Sequence, residues 1–175
     1  VLATNASAAM GATDRRLDLV SDKPNAPGGA WLEEFGLFHN ADATKDSLKT
    51  SGGGFGVAGG FDLISYRDKV LGAFFTLDSV KLDEEDRTSA PLTASQTSIG
   101  AYGGWRSGAL SVNGSASYGF VDFDDKRDIS FGTLSDKVNA KWKGNTIQAA
   151  ARASYDIPLG FLHFKPYVAA DYMGL

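Results

Sequence analysis

From Ser65 onward, hydrophobic and polar positions alternate with a period of two, which is the sign of strands whose two faces differ in chemistry. In 109–121, Leu110, Val112, Gly114, Ala116, Tyr118 and Phe120 fall on one face, and Ala109, Ser111, Asn113, Ser115, Ser117 and Gly119 on the other. Residues 146–157 set Ile147, Ala149, Ala151, Ala153, Tyr155 and Ile157 against Thr146, Gln148, Ala150, Arg152, Ser154 and Asp156. All the charge there lies on one face. In 161–172, Leu162, Phe164, Val168, Ala170 and Tyr172 oppose His163, Lys165, Tyr167 and Asp171, with Phe161 joining the polar set. Similar patterns run through 54–63, 71–78 and 96–106. The first strand, Trp31–His39, is less clean because Glu33 and Glu34 put a carboxylate on each face. Seven strands are predicted.

The connections switch between long and short in strict order, as those of outer-membrane barrels do. The stretches 40–51, 79–95 and 122–136 read as long polar loops, and 65–69, 107–108 and 158–160 as tight turns. Aromatic residues near the strand ends (Trp31, Tyr66, Trp105, Tyr118, Phe120, Phe123, Trp142, Tyr155 and Phe161) predict interfacial belts. Ahead of the strands, residues 5–20 are alanine-rich and free of proline, which predicts a short helix. Pro24, Pro27, Gly28 and Gly29 end it. The domain reading is therefore 1–29, linker helix and Pro/Gly break, then 30–175, the strands.

Composition narrows the partners. A chain of 175 residues fits one folding unit. Its 21 glycines exceed the usual share of about 7% and sit inside strands as well as at turns, which favours close packing and curvature. A net charge of -4 leaves no basic stripe to displace counterions, so nucleic acid is excluded as a partner. With no cysteine, disulfides and thiolate chemistry are excluded as well. There is no apolar run of about 18 residues for a membrane-spanning helix, so a closed barrel is the remaining way to cross a bilayer. The start at Val1 lacks the charged n-region and apolar core of a signal peptide, which predicts an excerpt of a longer precursor.

Candidate chemistry is sparse. His39 and His163 are far apart and no nucleophile-elbow or zinc-protease spacing occurs. His163 reads as a residue of the polar face. The acidic run 82–86 lacks EF-hand spacing and reads as a solvated loop that divalent ions could bridge to lipopolysaccharide. No enzyme activity, cofactor or metal is predicted.

Several landmarks follow one another in a telling order. They are Thr13-Asp14-Arg15-Arg16-Leu17-Asp18-Leu19, the Pro/Gly break, Gly29-Ala30-Trp31, Gly60-Phe61-Asp62, Ser98-Ile99-Gly100-Ala101-Tyr102, Arg127, Ala153-Ser154-Tyr155-Asp156 and Lys165-Pro166-Tyr167. Together they resemble the C-terminal translocator barrel of autotransporters, the type V secretion family, across nearly the whole chain. The resemblance implies an all-β fold: a closed antiparallel transmembrane meander of about twelve strands, about seven of them here, preceded by the short α-helix. It also implies a pore in the Gram-negative outer membrane that anchors and exports an upstream passenger. The implied partners are outer-membrane lipids and lipopolysaccharide, the protein's own passenger and the barrel-assembly machinery.

The lumenal contacts implied for the helix are Arg15, Arg16 and Asp18 against Asp62, Arg152 and Asp156. Arg152 departs from the family, which often shows a lumenal carboxylate there. Self-cleavage at Asn5, assisted by Asp62 or Asp156, is the lesser reading, because Ala6 and not a second asparagine follows. Two rivals remain: another outer-membrane barrel, porin-like or adhesin-like, and a lipocalin-like barrel with its apolar face inward. An outer-membrane lipid hydrolase would need a nucleophile and a histidine that meet on the wall.

Overall fold

The computed structural model describes residues 11, 15, 19, 29–41, 50–66, 68–84, 92–131 and 134–175, with side chains at most of these. Its main element is an antiparallel seven-stranded sheet in the order β1-β2-β3-β4-β5-β6-β9. The strands are β1 (Ala30–Ala41), β2 (Thr50–Tyr66), β3 (Lys69–Glu84), β4 (Leu92–Ser107), β5 (Leu110–Phe131), β6 (Leu134–Tyr155), β7 (Ile157–Leu159), β8 (Leu162–Phe164) and β9 (Tyr167–Gly174). Strands joined in this sheet follow chain order, so it is a meander, as the alternation predicts.

Two tight turns depend on glycine. Gly108 (φ 58°) and Gly160 (φ 68°) supply the positive φ of two-residue hairpin turns. The second lies between β7 and β8, beyond the end of β9. Ser154 pairs with Tyr167 and Ile157 with Phe164, so β6-β9 and β7-β8 form one hairpin without a change of register. Pro166 has no N–H to donate and interrupts the ladder, although its carbonyl still accepts from Tyr155 N–H at 3.0 Å.

The expected long loops are shorter than predicted: 40–41 and 50–51 belong to β1 and β2, and 79–84 and 92–95 to β3 and β4. Residues 122–136 are strand up to Phe131 and again from Leu134, and their ladder pairs Asp122 with Lys143 and Asp124 with Lys141. These cross-strand pairs are 3.3 and 3.2 Å apart. Opposite charges facing each other across a ladder support pairing, and a count of polar residues cannot see that.

The sheet is inside out compared with a soluble protein. Its buried face carries Asp62, Thr76, Asp78, Gln96, Ser98, Asn113, Thr146 and Gln148. Phe61, Leu71, Phe75, Leu77, Ile99, Val112, Tyr118, Phe120, Ile147 and Val168 are exposed on the other face. A lipocalin would bury the second set, so that rival fails. Along β5 the outward run from Leu110 to Phe120 covers about 34 Å at about 3.4 Å per residue. At a strand tilt of about 40° this rises about 26 Å, close to the apolar band of an outer-membrane barrel.

The helix expected over 5–20 lies outside the described residues except at Gly11, Arg15 and Leu19, each with helical backbone. Asn5, Arg16, Asp18, Glu85 and Asp86, and the side chain of Arg127, also lie outside them.

Candidate functional site: the inner wall

Glycine lets large side chains lie along the inner wall. Trp31 faces Gly60 across the β1-β2 ladder and Phe35 faces Gly56; Gly72 faces Tyr102 and Phe74 faces Gly100 across β3-β4. A Cβ on Gly60 would come within 2.6 Å of the Trp31 indole, and one on Gly100 within 2.5 Å of the Phe74 ring. At Gly56 and Gly72 it would meet Phe35 and Tyr102. These glycines do not simply thin the wall. They provide the floor against which the aromatic rings pack, and Phe35, Phe74 and Tyr102 are buried there.

The buried end of this arrangement is a hydrogen-bonded staple. Tyr102 O–H donates to Asp62 Oδ1, and Trp31 Nε1–H donates to the Tyr102 oxygen at 2.9 Å. Gly29 N–H donates to Asp62 Oδ2 at 3.3 Å, while Asp62 N–H donates to the Gly29 carbonyl at 3.1 Å. Asp62 and Tyr102 are only 4% and 1% exposed. Bonds to a buried carboxylate are the stronger class. The staple therefore joins β1, β2 and β4 and fixes the point where the leader enters the sheet. Phe74 and Val70 pack beside Tyr102. A register irregularity between Asp62 and Ile64 shifts the pairing of β2 with β3 by one residue, and the ladder then continues to Tyr66 and Lys69. It turns Leu63 and Ile64 both outward, as a bulge does.

The expected contact residues are distributed around this wall. Asp62 is inward and holds the staple. Arg152 is inward, 4.8 Å above the Tyr167 ring, and with Ser154 and Lys165 lines a small recess. Asp156 lies at the tight-turn end, where His163 Nδ1 is 3.1 Å from Oδ1 and Arg106 is 3.9 Å from Oδ2. Arg15 reaches Glu33 on β1, a partner the sequence reading had set aside as a flaw in the strand. Trp31 and Tyr102 were also missed as site residues. The alternation places Tyr102 on the polar face, and both residues stand in the motifs that carry the family resemblance. The aromatic belt is narrower than expected. Trp105, Tyr118, Phe120 and Tyr155 are on the outer, exposed face, but Trp31, Phe123 and Trp142 share the inner one and Phe161 sits in a turn. Among the described residues no three metal-ligating side chains gather.

Comparison with known proteins rests on this geometry. The profile described as Autotransporter beta-domain matches residues 30–175. The chain belongs to that family. Membership makes it a translocator domain and implies the outer membrane of a Gram-negative bacterium. The translocator domain of the autotransporter NalP from Neisseria meningitidis superimposes with a TM-score of 0.62 at 16% identity, over 97% of this chain and 60% of that one. Two proteins of Serratia marcescens called extracellular serine protease are 25% identical over 144 residues and 23% over 152. These matches cover 82% and 87% of this translocator chain but only 14% of each relative. The protease name therefore describes proteins of which this chain spans a small share.

Proposed function

We propose that the chain forms the wall of an outer-membrane pore that anchors and exports a passenger encoded upstream, with residues 1–29 as the linker that stays in the lumen. The inverted sheet carries this reading. A polar inner face and an outer apolar band of membrane height have no use in water but fit a strand wall in lipid. Closure would come from further strands to about twelve, since each unpaired edge group in hydrocarbon costs several kcal/mol. Barrel-assembly machinery would insert it, and lipopolysaccharide would meet the charged outer rim at Lys141 and Lys143.

The wall can also hold the linker. Arg15 already meets Glu33, Gly29 is bonded to Asp62, and Arg16 and Asp18 would find their partners among Asp62, Arg152 and Asp156. Seated this way, the helix plugs the pore after the passenger has crossed. The domain itself acts by shape and charge, not as an enzyme.

The test is protease shaving of intact cells carrying the full-length gene. The passenger should be digested while the domain stays protected in the outer-membrane fraction. A passenger that becomes accessible only after lysis would reject export. Neutralising Arg16 and Asp62 together should raise conductance in planar bilayers, and unchanged conductance would count against the plug.

A further inference from the structure

On the outer face, each of four neighbouring strands passes from apolar to polar side chains toward the longer connections. Along β5 the outward positions run from Tyr118 and Phe120 to Asp122 and Asp124, and along β3 from Phe75 and Leu77 to Ser79 and Lys81. On β4, Ile99 is followed toward the strand's start by Thr97, Ser95 and Thr93, and on β6, Ile147 by Asn145, Lys143 and Lys141. Cross-strand pairing joins the polar positions into one patch. Lys81, Thr93, Asp124 and Lys141 are successive partners, and so are Ser79, Ser95, Asp122 and Lys143. Since β3 ends at Glu84 and β4 begins at Leu92, the patch adjoins the 85–91 connection and lies at the end opposite the Gly108 turn. In outer-membrane barrels the longer loops face the outside of the cell.

The patch is concave. Thr93, Ser95, Asp122, Asp124, Lys141 and Lys143 line a cup of about 420 Å³, and Phe123 and Trp142, the strand residues between them, complete its lining. Lys141 Nζ lies 3.2 Å from Asp124 Oδ2 and Lys143 Nζ 3.3 Å from Asp122 Oδ1, so each carboxylate holds one ammonium over the cup. Both lysines stay largely exposed, at 75% and 86%. Pairs this exposed are weak, and each ammonium has three N–H donors, more than one carboxylate oxygen can take. Lys81 stands beside Thr93 on the same face, so three lysines meet two aspartates and the patch is left with a positive excess. Next to it begins the apolar band. Tyr118 and Phe120 pack edge to face with ring centroids 5.2 Å apart, and Phe120, Leu77 and Ile147 are all exposed.

We propose that this cup binds a phosphate of lipopolysaccharide, whose acyl chains then lie on Tyr118, Phe120 and Ile147. The proposal rests on reading the chain as outer-membrane wall and deepens it by giving the lipid a seat. Charge selects a phosphate. A phosphate monoester carries about -1.5 to -2 at pH 7 and offers three acceptor oxygens, so it takes charge-assisted bonds from Lys81, Lys141 and Lys143 together, which no single aspartate can. Position selects a lipid. Asp122 is two residues, about 7 Å, beyond Phe120 on the same face of β5, so one molecule can keep its head in the cup and its tails on the band. Side selects the glycolipid, because the cup is at the long-loop end and lipopolysaccharide is the phosphorylated lipid of the outer leaflet.

The test uses the full-length protein folded in detergent micelles, with folding checked by the gel mobility of the unboiled band. Native mass spectrometry would read the binding of lipid A with its phosphates, of the same lipid after phosphatase treatment, and of phosphatidylglycerol. Lys81→Gln, Lys141→Gln and Lys143→Gln combined should weaken binding of the phosphorylated lipid about tenfold or more. Arginine at the same three positions should keep most of it. Lys69→Gln, exposed on the same face near the opposite turn, should leave binding unchanged. Four results would overturn the site: equal binding of the dephosphorylated lipid, equal binding of phosphatidylglycerol, an equal loss in Lys69→Gln, and loss of binding on adding EDTA, which would mean a metal bridge to the aspartates. A full-length protein that never reaches the outer-membrane fraction rejects the membrane reading and the site with it, so the two failures are distinguishable.

Discussion

At the scale of single residues, the staple shows why an aspartate and a tyrosine belong on the inner wall. Tyr102 O–H serves Asp62 as a donor and Trp31 as an acceptor at the same time. Tyr102→Phe leaves the indole N–H without its acceptor and the carboxylate one bond short, which should cost about 1–3 kcal/mol. Urea unfolding of the protein in lipid vesicles measures it, and a loss within error would show the staple to be idle. Gly72→Ala tests the floor beneath it. The added methyl meets the Tyr102 ring and should cost about 1–3 kcal/mol by overpacking. Gly103→Ala, whose new Cβ has its nearest neighbour at 3.5 Å on the outer face, should change stability by less than about 0.5 kcal/mol. Equal effects at the two glycines would contradict this account. The fitness of Gly72 and Gly60 was not legible in sequence, because nothing local says which ring lies above a glycine; register decides that.

The element scale turns on the two faces of a strand. In β5, Ala116 faces outward and Ser117 inward. Ala116→Arg should cost about 2–4 kcal/mol in a bilayer, while Ser117→Arg, which can reach lumenal water, should cost clearly less. Folding titrations into vesicles would separate them, and the reverse order would mean the faces have been assigned backwards. The alternation alone fixed these faces, since the strand period of two leaves no freedom once one face is apolar. It did not fix strand length. The β5-β6 hairpin continues past the apolar band because its charges pair across the ladder, and composition had marked the same residues as a loop. Those exposed pairs stabilise little: a double-mutant cycle on Asp124 and Lys141 should give a coupling of about 0.2–1 kcal/mol. A larger coupling would mean that the pair is shielded from solvent in the membrane rim.

At the scale of the molecule, the two glutamates of β1 lie on opposite faces of the sheet. Glu33 faces inward to Arg15, and its neighbour Glu34 is exposed on the outer side. In the full-length protein Glu33→Gln should loosen the linker and raise bilayer conductance, whereas Glu34→Gln should not. If both changed conductance alike, the seat of Arg15 would lie elsewhere. The sequence by itself determined the strand meander, the polar inner and apolar outer faces, the two glycine turns and the resemblance to autotransporter translocators. Each of these follows from local periodicity, positive φ or motif order, all written in neighbouring residues. Only the tertiary structure decided that Asp62 is held by Tyr102 and Gly29, that Arg15 meets Glu33, and that the Phe123 and Trp142 rings stack across β5 and β6. Those facts depend on which residues of separate strands share a register row, and register is a property of the paired sheet that no single stretch of sequence contains.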